Sequence, residues 1–150
     1  PVREPPASPH HMPDHALDLV MQSGKRRVGM IGLSVKAGTD DLRESPLVTV
    51  AERLIGKGYD LRIYDPEVNL SRLLGANKRY IEHSIPHIGS LMVSSAEEAV
   101  DHAEVLLIGM IARDLLPVVQ RRISPEHLVV DLVGVPARPA NAERYVGVCW

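Results

Sequence analysis

Phenylalanine is absent from this chain of 150 residues, tryptophan occurs once, and aromatic residues make up only 3%. So few flat ring surfaces leave little on which unstacked bases could stack. Nor is there an excess of positive charge: 17 Lys and Arg stand against 19 Asp and Glu, a formal balance of −2. The electrostatic footprint of a nucleic-acid-binding domain is missing. A single cysteine, Cys149, rules out a disulfide framework and a cysteine-built zinc ribbon. No apolar run approaches the ~18 residues that a membrane span needs, and no charged-then-apolar leader opens the chain. The expectation is a cytoplasmic chain that binds neither nucleic acid nor membrane.

What is present is an ordinary globular composition, 45% hydrophobic and 24% charged. A chain of this length buries roughly 70% of the surface it exposes when unfolded, enough for a core without staples. Residues 1–13 (PVREPPASPHHMP) hold five of the 12 prolines and almost nothing to bury. They read as a disordered linker or an expression remnant, with His10 and His11 part of it. Residues 14–23 place Ala16, Leu17, Val20 and Met21 at helical spacing, and Gly24 stops the helix.

From residue 27 the pattern becomes strand and helix in alternation. Residues 27–33 (RVGMIGL) form a near-continuous apolar run, as expected of a strand covered on both faces. Ser45-Pro46 supplies an N-cap and a first-turn proline, and Leu47, Val50, Ala51 and Leu54 mark a helix face that ends at Gly56 and Gly58. Residues 60–64 make a second strand closed by Asp65-Pro66. The second half predicts a short strand at 91–93, a helix capped by Ser94 and Glu97, a strand at 104–109, a helix at 114–122 and a strand at 128–133. Such alternation implies an α/β fold, a Rossmann-like open parallel sheet with helices on both faces and strand order 3-2-1-4-5.

In such sheets ligands sit beyond the C-terminal ends of the strands, so the loop after the first strand carries the most information. It lacks G-x-G-x-x-G; Gly29 and Gly32 are too few and wrongly spaced for a pyrophosphate turn. The loop instead carries Lys36 and Arg43, two cations seven residues apart before a helix N-terminus. They could hold phosphate oxygens or a developing oxyanion. The same charges could equally pair with Asp40, Asp41 and Glu44 in a solvated loop.

The run GLSVKAGTDDLRESP, residues 32–46, resembles the G-L-x-F-K-x-x-T-D-D-x-R-x-S-P signature of the nucleotide-sugar 6-dehydrogenases, the UDP-glucose and GDP-mannose dehydrogenase family. The likeness continues through IYDP at 63–66, GANKRYIE at 75–82, IPHI at 85–88, VVDLVG at 129–134 and the terminal GVCW. Leu132-Val133-Gly134 stands where UDP-glucose enzymes usually carry Arg-Asn, and the terminal Cys-Trp looks like the GDP-mannose branch.

The resemblance implies a sugar-nucleotide-binding C-terminal domain at 25–150, preceded at 14–24 by the end of an inter-domain helix. By it, Lys36 would bind substrate near the reacting carbon and Arg43 would touch the cofactor, NAD. Thr39, Asp40 and Asp41 would order the loop. The implied partners are GDP-mannose or a related nucleotide sugar, an N-terminal NAD domain and, in the whole enzyme, a second copy in a homodimer. Residues 14–23 would then have lost their setting, and that helix is expected to fray or to be captured by another chain.

No catalytic residue is assigned within the chain. Cys149 has no neighbouring base and resembles nothing in the family's catalytic position, which precedes this domain. His83 and His87 have a ligand-like spacing, but Pro86 interrupts it and nothing completes a metal site. Asp65 falls where a dinucleotide domain holds ribose hydroxyls, but without the glycine fingerprint it reads as a turn-forming Asp-Pro. The competing functions are a UDP-sugar 6-dehydrogenase domain and a free-standing nucleotide-binding module without catalysis.

Overall fold

A computed structural model describes residues 12–33, 45–66, 68, 86–110, 115–134 and 144–147. Its elements are α1 (Met12–Ser23), β1 (Arg27–Ile31), α2 (Pro46–Gly56), β2 (Asp60–Tyr64), α3 (Pro86–Gly89), α4 (Ala96–His102), β3 (Val105–Ile108), α5 (Leu115–Arg122), β4 (Leu128–Asp131) and β5 (Arg144–Gly147). The five strands form one sheet in the order β2-β1-β3-β4-β5. Every pairing is parallel.

The expected strand order holds, with one demotion and one addition. The segment at 91–93 does lie outside β2, but as a single parallel bridge between Ile63 and Met92 rather than a strand. Two backbone bonds fix it: Ile63 N–H donates to Leu91 at 3.1 Å and Val93 N–H donates to Ile63 at 2.8 Å. β5, whose RYVG is too short and too polar to stand out in the sequence, extends the sheet beyond β4.

Strand residues alternate between two apolar layers, as the pleat requires. Val28, Met30, Leu61, Ile63, Val105, Leu107, Leu128 and Val130 pack on one side with α1 and α2. Ile31, Leu106, Ile108 and Val129 pack on the other with α4 and α5. Both faces are therefore covered, and the continuous apolar runs follow from that.

Gly29, in the middle of β1, is where α4 comes closest. A Cβ there would stand 2.4 Å from the Ala99 carbonyl oxygen and 2.8 Å from the Ala103 Cβ. The carbonyl is helix backbone and cannot step aside. Helix caps follow local chemistry. Ser45 caps α2, its hydroxyl accepting from Leu47 N–H, with Pro46 in the first turn. The cap of α4 is Ser95, which accepts from Glu98 N–H, rather than Ser94; the capping pair is shifted by one residue.

The expectation for α1 is corrected. Ala16, Leu17 and Val20 are buried in the layer shared with α2 and the sheet, and only Met21 stays exposed. An ion pair from Arg53 of α2 to Asp14 of α1 adds to the contact. The stripe that lacked a partner in the sequence packs against the domain's own α2. Gly24, at φ +70°, ends the helix and turns the chain into β1.

At the N-terminal edge of the sheet, Glu104 ties β3 to β1. Its carboxylate accepts from Arg27 N–H at 3.2 Å and from Arg26 N–H at 3.4 Å. The Arg27 amide, then the Arg26 amide and the charges of Arg27 and Lys25, hold its pKa below the ordinary glutamate range; desolvation acts the other way and is outweighed.

Three outcomes follow from this packing. Deleting residues 1–23 is expected to lower the calorimetric unfolding midpoint by more than about 8 °C, about 2 kcal/mol for a domain of this size. An unchanged midpoint would remove α1 from the core. Gly29→Ala is expected to cost about 1–3 kcal/mol in urea unfolding, the scale of overpacking against backbone. Because the folded state depresses the Glu104 pKa, its contribution is present above the ordinary glutamate value and is lost as pH falls through the lower folded value. Glu104→Gln should therefore flatten the fall of the midpoint on acidification below about pH 4.5; parallel acid limbs for the two chains would contradict the assignment.

Candidate functional site

The C-terminal ends of the strands lie in one row. Tyr64, Ile31, Ile108, Asp131 and Gly147 are register partners from one edge of the sheet to the other. One residue further on, Gly32 N–H donates to Tyr64 at 2.8 Å, Gly109 N–H to Ile31 at 2.7 Å and Leu132 N–H to Ile108 at 2.9 Å. The ladder thus continues past the strands into the bases of the loops. Gly32 takes φ +99°, and a Cβ there would sit 2.9 Å from the Met110 Cβ. This backbone conformation and close approach favour glycine.

The chain reverses direction across the sheet between β1 and β3: β1 leads through α2 to β2 on one side, and α4 then returns the chain to β3 on the other. That is the switch point at which a doubly wound sheet opens its ligand crevice. Residues 34–44 follow β1 there and residues 111–114 follow β3. Lys36 and Arg43 both belong to 34–44 and so lie outside the described residues, as do Thr39, Asp40 and Asp41. His83 and Cys149 lie outside them as well.

The described residues fix where that loop leaves and returns. Leu33, its last residue before the loop, is fully buried. Its N–H donates to Asp65 Oδ2 at 2.8 Å, and its carbonyl accepts from the Ser45 hydroxyl at 2.5 Å. Ser45 is the first described residue after the loop, and its Oγ also accepts from Leu47 N–H at 3.2 Å. Both ends of the segment that carries Lys36 and Arg43 therefore meet at one buried point.

Asp65 is fully buried, and its other oxygen, Oδ1, accepts from Val68 N–H at 3.3 Å. Both carboxylate oxygens are turned onto backbone amides inside the protein. The turn-forming reading is thus supported over ribose binding, but it understates the residue, which also anchors the end of β1. A second buried carboxylate closes β4. Asp131 Oδ1 accepts from Val133 and Gly134 N–H, each at 2.9 Å, and Oδ2 accepts from the Tyr145 hydroxyl. An acid inside the apolar run LVVDLV is the signal that could have exposed it.

His87 is exposed and lies 2.9 Å from Glu52, an ordinary surface pair. Among the described residues no group of three His, Cys, Asp or Glu is placed to hold a metal ion, and no helix is long and apolar enough to cross a membrane. A groove of about 840 Å³ opens at the opposite, N-terminal edge, lined by Lys25, Arg27, Glu104, Asp101 and Arg122 among others. Its charges balance, with Arg27 facing Glu104 at 3.9 Å and Arg122 bonded to Asp101 at 2.9 Å. It lies away from the crevice.

The model of the UDP-glucose/GDP-mannose dehydrogenase family, UDP binding domain, matches residues 29–136. GDP-mannose 6-dehydrogenase of Pseudomonas aeruginosa is 50% identical over 90% of this chain and 30% of its own length. The chain therefore spans about a third of the curated relatives it matches. A crystal structure of a ternary complex of GDP-mannose dehydrogenase from Pseudomonas aeruginosa superposes with a TM-score of 0.83 at 46% identity, covering 94% of this chain and 32% of that one. A UDP-glucose dehydrogenase from Pyrobaculum islandicum superposes with a TM-score of 0.68 at 27% identity, covering 94% and 30%. The α/β sheet, the signature at 32–46 and these matches place the chain in the UDP-glucose/GDP-mannose dehydrogenase family, as its UDP-binding domain.

Proposed function

We propose that the chain is the sugar-nucleotide-binding domain of an NAD-dependent GDP-mannose 6-dehydrogenase, with GDP-mannose as the ligand. The observation that carries this reading is the identity to GDP-mannose 6-dehydrogenases over nine-tenths of the chain. In the whole enzyme the reaction would oxidise the C6 alcohol to a carboxylate, with water entering and two hydrides leaving to two NAD, and the product would be GDP-mannuronate. NAD supplies the acceptor for each hydride.

Lys36, in the segment that follows β1, would set its ammonium beside the sugar C6 oxygen. A fixed cation is worth far more to a developing oxyanion in a site closed to water than in solvent. Arg43 would offer its planar fork to a phosphate or ribose of the cofactor. The chain's own residues do not suit a complete NAD site: the glycine fingerprint is missing, and both oxygens of Asp65, at the ribose position, accept backbone amides. NAD would therefore be held mainly by an N-terminal domain, with Arg43 reaching it across an interface. A cytoplasmic enzyme that works as a homodimer, with 14–24 ending an inter-domain helix and 1–13 a linker, completes the reading. A UDP-sugar enzyme is the second reading, favoured by the similarity to UDP-glucose dehydrogenases.

Titration calorimetry of the 150-residue chain separates the two. GDP-mannose is expected to bind more tightly than UDP-glucose, and Lys36→Ala to weaken it by about tenfold, the scale of one charge-assisted hydrogen bond. Tighter binding of UDP-glucose would establish the second reading, and binding of neither would sink both. The chain mixed with GDP-mannose and NAD should form no NADH.

A further inference from the structure

We propose that the turn joining α5 to β4 is a proton-operated latch: the neutral ring of His127 holds it shut, and protonation of that ring releases the Ser124 amide and opens the wall that the turn gives to the N-terminal groove.

His127 stands just before β4 and is 7% exposed. Both of its ring nitrogens are engaged, and their partners admit a single protonation state. Ser124 N–H donates to Nδ1 at 2.9 Å, and because an amide nitrogen is a donor only, Nδ1 carries no proton. Nε2 lies 2.9 Å from the Val100 carbonyl oxygen, which is an acceptor only, so the proton is on Nε2. The ring is therefore neutral, and it ties the turn to the end of α4. Val100 also accepts Ala103 N–H at 3.1 Å, the bond that closes α4. Within the turn His127 N–H donates to the Ser124 carbonyl at 3.1 Å, and beyond it Leu128 N–H donates to Glu104 at 2.9 Å, seating the exit on β3.

A second proton can go only to Nδ1, where it meets Ser124 N–H head on. Two donors cannot make that bond. The Ser124 hydroxyl oxygen, 3.1 Å from Nδ1, is the acceptor within reach, and it already accepts from Glu126 N–H at 3.3 Å. Turning Nδ1–H onto it leaves Ser124 N–H without a partner, and an unpaired amide in a half-buried turn is relieved by opening to water. The charges that line the groove with His127 are Lys25 and Arg27 at the entry to β1, Arg122 of α5, Asp101 of α4, Glu104 before β3 and Glu126 of the turn. Three cations face three acids, so neither sign prevails and the hydrogen bonds decide. His102, at the end of α4, is turned instead to the Asp60 carbonyl at 2.9 Å. Since Ser124, Pro125, Glu126 and His127 all line the groove, opening the turn reshapes it.

The test is an NMR titration of the 150-residue chain from about pH 8 to about pH 5, the range in which histidine changes charge. At the upper end the nitrogen resonances of His127 should show Nε2 protonated and Nδ1 bare. As the ring takes up its proton, the exchange protection of the Ser124 amide should fall by about tenfold or more, the scale of one lost hydrogen bond, while amides of β3 and β4 keep theirs. His127→Gln supplies a carbonyl and an N–H2 without a titrating group, and its Ser124 protection should not change with pH.

A protonated Nδ1 at pH 8, a ring that stays neutral to pH 5, or a ring that titrates while Ser124 keeps its protection would each overturn the latch. So would an equal fall of Ser124 protection in His127→Gln. Should that variant fail to fold, the wild-type titration decides alone.

Discussion

Everything in this domain depends on a parallel sheet that must be dry on both faces. Parallel strands need crossovers, the crossovers place helices above and below, and so each strand has to present apolar atoms in both directions. β1 shows the constraint most sharply, since it sits between β2 and β3 and meets both layers. Val28 and Met30 fill the layer under α1 and α2, while Ile31 faces α4 and α5. At Gly29 the side chain is given up so that the backbone of α4 can approach. Close contact there fixes α4, and α4 returns the chain to β3 on the far side of β1. The switch point thus follows from packing before any ligand is considered.

Polar groups are used sparingly and at the edges. At the N-terminal edge a partly exposed Glu104 bridges β3 to the first amides of β1. At the C-terminal edge the acids are buried, and Asp65 and Asp131 accept backbone amides where the chain leaves the sheet. Carboxylates suit those positions because each oxygen can satisfy an amide that water cannot reach. The same use of Asp65 explains why an acid at the end of β2 need not mean a ribose site.

Membership of the dehydrogenase family gives this arrangement a purpose that the sheet alone would not, since doubly wound sheets host many chemistries. The signature residues at 32–46 follow β1, at the switch point of the sheet.

Local sequence determined much of the outcome. Continuous apolar runs specified buried parallel strands, Ser45-Pro46 specified the start of α2, Gly24 the end of α1, and the signature at 32–46 pointed to the family. Each is written within a few residues of chain, where periodicity, capping and turn chemistry operate. Tertiary structure decided what depends on neighbours distant in sequence. It placed α1 against α2 rather than leaving it unpartnered, because an apolar stripe shows that a partner is needed but not which one. RYVG became a strand because β4 offered it an edge, and Leu91 to Val93 shrank to a bridge beside β2. Asp65 became an anchor because folding brought the amide of Leu33, 32 positions earlier, to its carboxylate; a long-range hydrogen bond leaves no trace in the pattern of either segment.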